Sequence, residues 1–397
     1  MSHNASQNKQ KPTRSTFCRF NERKTVMSDS LTIGYIVHDL NDPSIERRCK
    51  MLEKGGAFVV LAGFYRGGDI HPTIKRRQPL LLGQTQDGAM ARRAIATLGQ
   101  VISHRNVKMH FKNCELIMAR NLEQLAIASK LKEKRPLVYE CLDIHRLLSS
   151  QSRIGNFIRG FETSLLSRVN LLITSSPGFI RNHFTNDRLK APITILENKL
   201  TVNDLPKRLQ SPASYKDVIR IGWFGMLRCR RTFDVLSELA KQSEGRIEIL
   251  IAGKPSPAEL PDFEAMTGSV PGLRYTGPYT YDDLPDLYGQ CHFAWAIDWY
   301  EAGHNSDWLL PNRIYEAIAH GSVPIVLEGT EVENWTEKRS VGLSLSRKKG
   351  AHERLLSLTS KEIKRLQAGL SSISARDVYA DKVDAHTLVD QLRGLAS

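Results

Sequence analysis

Asn312 and Glu316 stand four residues apart in the segment Pro311-Asn312-Arg313-Ile314-Tyr315-Glu316-Ala317-Ile318-Ala319-His320-Gly321. Pro311 suits a first helical turn and Gly321 a stop, so the spacing predicts a short helix with both polar side chains on one face. A carboxylate there can accept hydrogen bonds from both hydroxyls of a ribose, because a cis-diol presents two donors to two oxygens. Spacing taken alone favours a surface glutamate salt-bridged to Arg313. A second constellation is Gly225-Met226-Leu227-Arg228-Cys229-Arg230-Arg231, between an apolar run at 219–224 and a helix expected from about Thr232. The glycine lets a phosphate approach the backbone, and the new helix aims free N–H groups and its positive dipole end at the same space. Arginines there can neutralise a diphosphate without a metal, in bidentate fashion. Arg228 and Arg231 are the candidates, whereas Arg230, alternating along the loop, is expected to point away. A solvated basic turn is the other reading. Cys229, if exposed among arginines, is expected to be an acidic thiol. The loop 298–306 offers aromatic and hydrogen-bonding side chains suited to a sugar ring, with Asn305 and Trp308 as candidates and core packing as the alternative for Trp308.

These groups need a scaffold that gathers loops from distant parts of the chain, and the pattern supplies one. Residues 31–37 form a short apolar, β-branched run, followed by a polar loop, a helix-like stretch over 44–54 stopped by Gly55-Gly56, and a second strand over 57–62. Strand-like runs recur at 115–118, 137–140, 171–174 and 193–196. After a linker over 201–217, with Pro206 and Pro212, a second series follows: strands at 219–224, 247–252, 293–297 and 323–327 and a helix over 232–242. The expectation is an α/β fold with two Rossmann-like domains, 30–200 and 218–375, facing each other across a cleft, with ligands outside the carboxyl ends of the strands. Residues 376–397 are expected to be a helical segment packing back on the first domain. Residues 1–29 read as a disordered extension, and Met27 offers an alternative start of translation.

Composition narrows the function classes. The chain has 397 residues, of which 41% are hydrophobic and 25% charged, as in a globular protein. No apolar run reaches the ~18 residues that would span a bilayer. Six cysteines without a CxxC pair read as reduced intracellular thiols. The formal charge of +14 is uneven: residues 30–200 carry 26 basic and 14 acidic side chains, a net of +12, whereas 201–397 are at −2. Such a half attracts polyanions. Its basic bursts, such as Lys75-Arg76-Arg77, are not interleaved with aromatics, so no nucleic acid is expected as a partner, and an anionic membrane surface is preferred. The stripe Ile154, Phe157, Ile158, Phe161 and Leu165, flanked by Arg153, Arg159 and Arg168, has helical spacing for a membrane interface, with core packing as the alternative. The first strand runs into His38-Asp39-Leu40-Asn41 without GxGxxG, and no Walker A sequence is present, which argues against an NAD enzyme or a P-loop NTPase.

The segment 311–326 resembles the donor-nucleotide motif of GT-B glycosyltransferases, and the Gly225 loop is similar to their glycine-plus-basic loop, with Arg231 where lysine is usual. Segments 138–145, 171–176 and 193–198 are similar to first-domain strands of that fold. The likeness spans about 31–390 and points within the fold to bacterial exopolysaccharide transferases of the succinoglycan type. Trp308 departs from the first glutamate of the family 4 pair, and Met226 from an arginine after the glycine. The resemblance implies transfer of a hexose, glucose foremost, from a UDP-sugar substrate to a lipid-linked saccharide acceptor. No other cofactor and no metal are expected, since no DxD triplet follows a strand. It implies Glu316 on the ribose, Asn312 or Arg313 on the phosphates, and work at the inner, cytoplasmic face of the cell membrane. Succinoglycan-type linkages lean towards inversion, for which Asp143 and His145 are the candidate bases, with Asp39 and His38 behind them. The missing glutamate at 308 favours an alternative, a non-catalytic nucleotide-sugar-binding subunit of a polysaccharide assembly complex.

Overall fold

A computed structural model describes residues 30–85, 104–214, 217–348 and 350–397. The extension expected over 1–29, with Met27, and a small part of the linker over 201–217 lie outside the described residues. The first sheet comprises β1 (Thr32–Val37), β2 (Phe58–Arg66), β3 (Leu80–Thr85), β4 (Leu116–Arg120), β5 (Leu137–Cys141), β6 (Leu171–Thr174) and β7 (Ile193–Ile195). After the short β8 (Leu200–Thr201), a second sheet is built from β9 (Ile219–Leu227), β10 (Ile247–Pro255), β11 (Leu273–Tyr275), β12 (Phe293–Trp295), β13 (Val323–Leu327) and β14 (Leu343–Leu345). Every pairing is parallel, in the orders β3-β2-β1-β4-β5-β6-β7 and β11-β10-β9-β12-β13-β14. Helices cover both faces, which is why β4, β5, β6 and β13 are buried at every position and read as apolar runs without alternation.

Strand order reverses between β1 and β4 in one sheet and between β9 and β12 in the other, and each reversal opens a crevice at the carboxyl edge. Local signals set the elements that border these crevices. Asp42 caps the helix Pro43–Lys54 by accepting the Ser44 N–H at 2.8 Å, with Pro43 in its first turn. Gly321, at φ +81°, ends the helix Asn312–Ala319. β9 runs past its expected end through Gly225 to Leu227 because β10 pairs with it along its whole length, and the next helix, Arg230–Gln242, begins two residues earlier than expected.

The halves are joined twice. β15 (Tyr379–Ala380) pairs with β8, and the helix Lys382–Ala396 then lies against Pro43–Lys54. Ala385, Leu388, Val389 and Leu392 enter the core of the first sheet, and the approach is close enough that a Cβ on Gly55 would stand 2.3 Å from the Ala385 carbonyl oxygen. Across the cleft, Ser176 Oγ donates to the Trp308 carbonyl, Asn198 Nδ2 to the Leu310 carbonyl at 3.1 Å, and Arg181 pairs with Glu331. A Cβ on Gly178 would come within 2.3 Å of the Trp308 carbonyl oxygen, so backbone meets backbone there.

Candidate active site

The β9/β12 crevice gathers the candidates of the second half. Gly225 has φ +113°, a conformation that side chains rarely adopt, and a Cβ on it would meet nothing nearer than Arg313 Nη2 at 3.9 Å and Tyr279 Oη at 4.0 Å. Its bare backbone therefore borders open space ringed by these groups. Glu316 is 8% exposed and accepts a hydrogen bond from Tyr288 Oη at 3.1 Å. The surface ion pair with Arg313 that spacing alone favours does not form, because the helix turns this face inward. Burial raises the Glu316 pKa above the ordinary carboxylate value, and the Arg47 guanidinium, the Tyr288 hydroxyl and Arg313 partly oppose that rise. Asn312, its amide oxygen turned towards Arg47, accepts from Nη2 at 2.8 Å and Nη1 at 3.2 Å. Arg47 belongs to Pro43–Lys54, so the helix of one half is met by a cation from the other.

Stacking holds the two loop arginines. Arg228 lies 4.8 Å over the Tyr300 ring and 3.8 Å from Asp298 Oδ2, and Arg231 lies 4.5 Å over Trp299. Arg230 turns outward to Asp234 at 2.9 Å. Cys229 is buried under the loop and not exposed among the arginines, and its Sγ accepts the Thr232 N–H at 3.4 Å as the helix cap.

From the first sheet, the loop after β5 brings Asp143 to the cleft. Asn305 Nδ2 donates to its Oδ1 at 3.4 Å, while Asn305 Oδ1 accepts the Ile144 N–H at 3.0 Å. Asp143 is exposed to solvent, yet Asn305 and Arg228 of the second half and Asp42 of the first act on it. Desolvation raises its pKa, against the Asn305 amide and the Arg228 charge and in step with Asp42 and Glu301. Asn305 is 4% exposed, and its amide is engaged with Asp143 and Ile144 rather than open to a sugar. Trp308 packs into the first half's apolar cluster, the packing alternative for this residue. His145 caps the turn Arg146–Ser149 by accepting the Leu147 N–H at 3.2 Å and is not brought to Asp143. Asp39 is buried and accepts the Asn41 and Arg66 N–H groups at 3.1 and 3.2 Å. His38 lies 3.4 Å from Asp42, and burial lowers its pKa despite that carboxylate.

The β1/β4 crevice holds a cluster that sequence reasoning missed. Glu140, at the end of β5, is fully buried and bonded to Arg48 Nε at 2.6 Å, Arg120 Nε at 2.7 Å and the Tyr35 hydroxyl. Burial alone would raise its pKa, but Arg120 and Arg48 outweigh it and hold the carboxyl at about 2. Arg120 Nη1 also donates to Ser44 Oγ at 2.5 Å. Arg47, Tyr279 and Tyr288 were missed as well. Arg47 had a signal, the Arg47-Arg48 pair in a helix that opens at the carboxyl end of β1; the tyrosines had none.

No protein-family model matches the chain. Succinoglycan biosynthesis protein ExoL of Rhizobium meliloti (strain 1021) is 42% identical over 326 residues, covering 79% of this chain and 81% of that protein. Among solved structures, Anabaena Alr3699/HepE in complex with UDP superposes with a TM-score of 0.66 over 92% of this chain and 100% of its own, at 14% identity. Sucrose-phosphate synthase from Thermosynechococcus elongatus gives 0.65 over 92% and 99%, at 13% identity. At such identities these two speak for the fold alone, which is the GT-B arrangement of two Rossmann-like domains.

Proposed function

The chain belongs to the family of succinoglycan biosynthesis protein ExoL and has the GT-B fold, and we propose that it transfers a hexose, glucose foremost, from a UDP-sugar to a lipid-linked saccharide during exopolysaccharide assembly, without a metal. The observation that carries this reading is Glu316, a buried carboxylate ringed by Arg47, Arg313 and Tyr288, with Arg313 also reaching the bare Gly225 backbone. A ribose diol can replace the hydrogen bonds that burial denies this group. HepE, of the same fold, has been solved with UDP-glucose. In the reaction, the acceptor hydroxyl gives its proton to Asp143, its oxygen bonds to the anomeric carbon, and the bond from that carbon to the diphosphate breaks. Arg228, Arg231 and Arg313 stabilise the charge left on the diphosphate, fixed in place before the reaction by stacking and packing. The raised pKa of Asp143 suits a base, since proton affinity then lies nearer the working pH. Calorimetric titration with UDP in the presence of a chelator tests the donor site. Binding to the native protein, weakened about tenfold or more in Glu316→Ala, is expected; no binding by folded native protein would end the reading.

The lipid-linked acceptor places the enzyme at the inner membrane face. No described helix is long and apolar enough to cross a membrane, but the stripe expected on the helix Arg153–Leu166 splits: Ile158 and Leu165 are core, whereas Ile154 and Phe157 are 61% and 67% exposed beside Arg153. Two apolar side chains with basic neighbours suit anionic lipid. Co-sedimentation with anionic liposomes should decline as salt rises and in the Ile154→Ser/Phe157→Ser variant. Sedimentation indifferent to both would remove this surface from the account.

A further inference from the structure

A pocket open to solvent lies at the β1/β4 reversal, between the first turns of Pro43–Lys54 and the strap that leads into the second half. Ser44, Arg47, Arg48, Arg120, Lys199 and Glu197 line it. Its floor is built. Arg48 and Arg120 are 8% and 2% exposed, yet each gives only Nε to Glu140. Arg120 Nη1 goes to Ser44 Oγ, and Arg48 Nη1 has only the weak acceptor Met51 Sδ at 3.1 Å. Among the described residues neither Nη2 meets an acceptor. Both Nη2 groups are therefore turned to the open pocket and not sealed in the core, and an anion there would take charge-assisted bonds from two guanidinium groups already fixed by Glu140.

Charge fits the same reading. Arg47, Arg48, Arg120 and Lys199 line the cavity with one carboxylate, Glu197, and a second, Glu140, is paired to Arg48 and Arg120 outside the lining, which leaves two positive charges. Glu197 accepts from Trp335 Nε1 at 3.4 Å, outside the lining, and stands 3.9 Å from Lys199 Nζ within it, and Lys199 Nζ also donates to the Arg376 carbonyl at 2.8 Å. Two positive charges match a diphosphate diester, which carries two negative ones. The helix Pro43–Lys54 adds the positive end of its dipole. Arg47, bonded to Asn312 on the far side, joins this cavity to the donor crevice.

We propose that this cavity is a second anion site, distinct from the donor crevice, that takes a diphosphate through Arg48, Arg120 and Lys199. Its assignment to the diphosphate of the lipid-linked acceptor rests on the transferase reading above; the anion site itself does not. Glu140 then acts as a positioning residue, fixing both guanidinium groups before the ligand arrives.

The test is calorimetric titration of inorganic pyrophosphate into the full chain saturated with UDP. One further binding event is expected, weakened at least tenfold in Arg48→Met and several-fold in Lys199→Gln, with UDP affinity unchanged in Lys199→Gln. Lys199 is a rim residue, so this variant reads the site even where Arg48→Met fails to fold. Competition between pyrophosphate and UDP, no further binding, or equal binding by native protein and Lys199→Gln would each overturn the proposal. A parallel titration with a short-chain polyprenyl diphosphate sugar distinguishes the sources: binding at least tenfold tighter than pyrophosphate assigns the site to the acceptor, whereas weaker binding restricts it to free diphosphate and removes the acceptor assignment. Failure of native protein to bind UDP would instead strike the transferase reading and leave the anion site standing on its own titration.

Discussion

Replacing Asn305 with alanine separates the two things its amide does. Its oxygen accepts the Ile144 N–H at 3.0 Å in a buried setting, and its nitrogen donates to Asp143 at 3.4 Å. Losing the first bond strands a buried backbone donor, which costs about 1–3 kcal/mol of stability. Losing the second removes a group that lowers the Asp143 pKa while desolvation continues to raise it. At 3.4 Å the bond is long and its loss is worth no more than about 1 kcal/mol, and the direction of its effect on Asp143 is upward. In the transferase reading the base must be ionised, so the acidic limb of the rate profile should move to higher pH. Sugar transfer measured across pH on native protein, Asn305→Ala and Asp143→Asn reads the shift. Asp143→Asn should lose the limb with the activity. If Asn305→Ala loses rate while the limb stays in place, Asn305 acts on the substrate and not through Asp143, and the argument fails.

Other outcomes follow from the same geometry. Glu140 is ionised down to about 2 in the folded chain against 4.5 for an ordinary glutamate, so its stabilisation is complete above pH 4.5 and is lost as pH falls towards 2. That is on the order of 3 kcal/mol, read by denaturant unfolding at several pH values; a Glu140→Gln variant with the same pH dependence would contradict it. Gly178→Ala should force the halves apart, because its methyl group would meet the Trp308 carbonyl oxygen at 2.3 Å. A loss of about 1–3 kcal/mol is expected together with a larger radius of gyration in solution scattering. An unchanged radius and melting temperature would show that this contact is soft.

The two sheets were legible because parallel strands buried on both faces write themselves as apolar runs, as at 137–140 and 323–327, and because Pro311 and Gly321 bracket the helix that bears Glu316. Gly225 was legible as a close-approach point, although the strand that carries it runs on to Leu227 and does not end there. Side-chain direction was not. Glu316 and Trp308 each had two readings, and for Glu316 the local spacing favoured the wrong one; the rest of the fold decided between them: the helix face that carries Glu316 turns inward to Tyr288 and Arg47, while Trp308 docks beside Gly178. The Glu140 cluster was invisible for the same reason. Its members, Tyr35, Arg48, Arg120 and Glu140, sit on β1, a helix, β4 and β5, and no local window holds more than one.

The helix Lys382–Ala396 completes the core of the sheet that begins with β1. On the ribosome, the whole second sheet must be made between β7 and that helix. At about 5–20 residues per second the first half therefore waits on the order of ten to forty seconds with the flank of Pro43–Lys54 uncovered. The second half, whose strands and helices follow one another without such a gap, can close first. Synthesis order and folding order are thus reversed, and an arrest of translation before residue 382 would leave a finished second domain tethered to an unfinished first one.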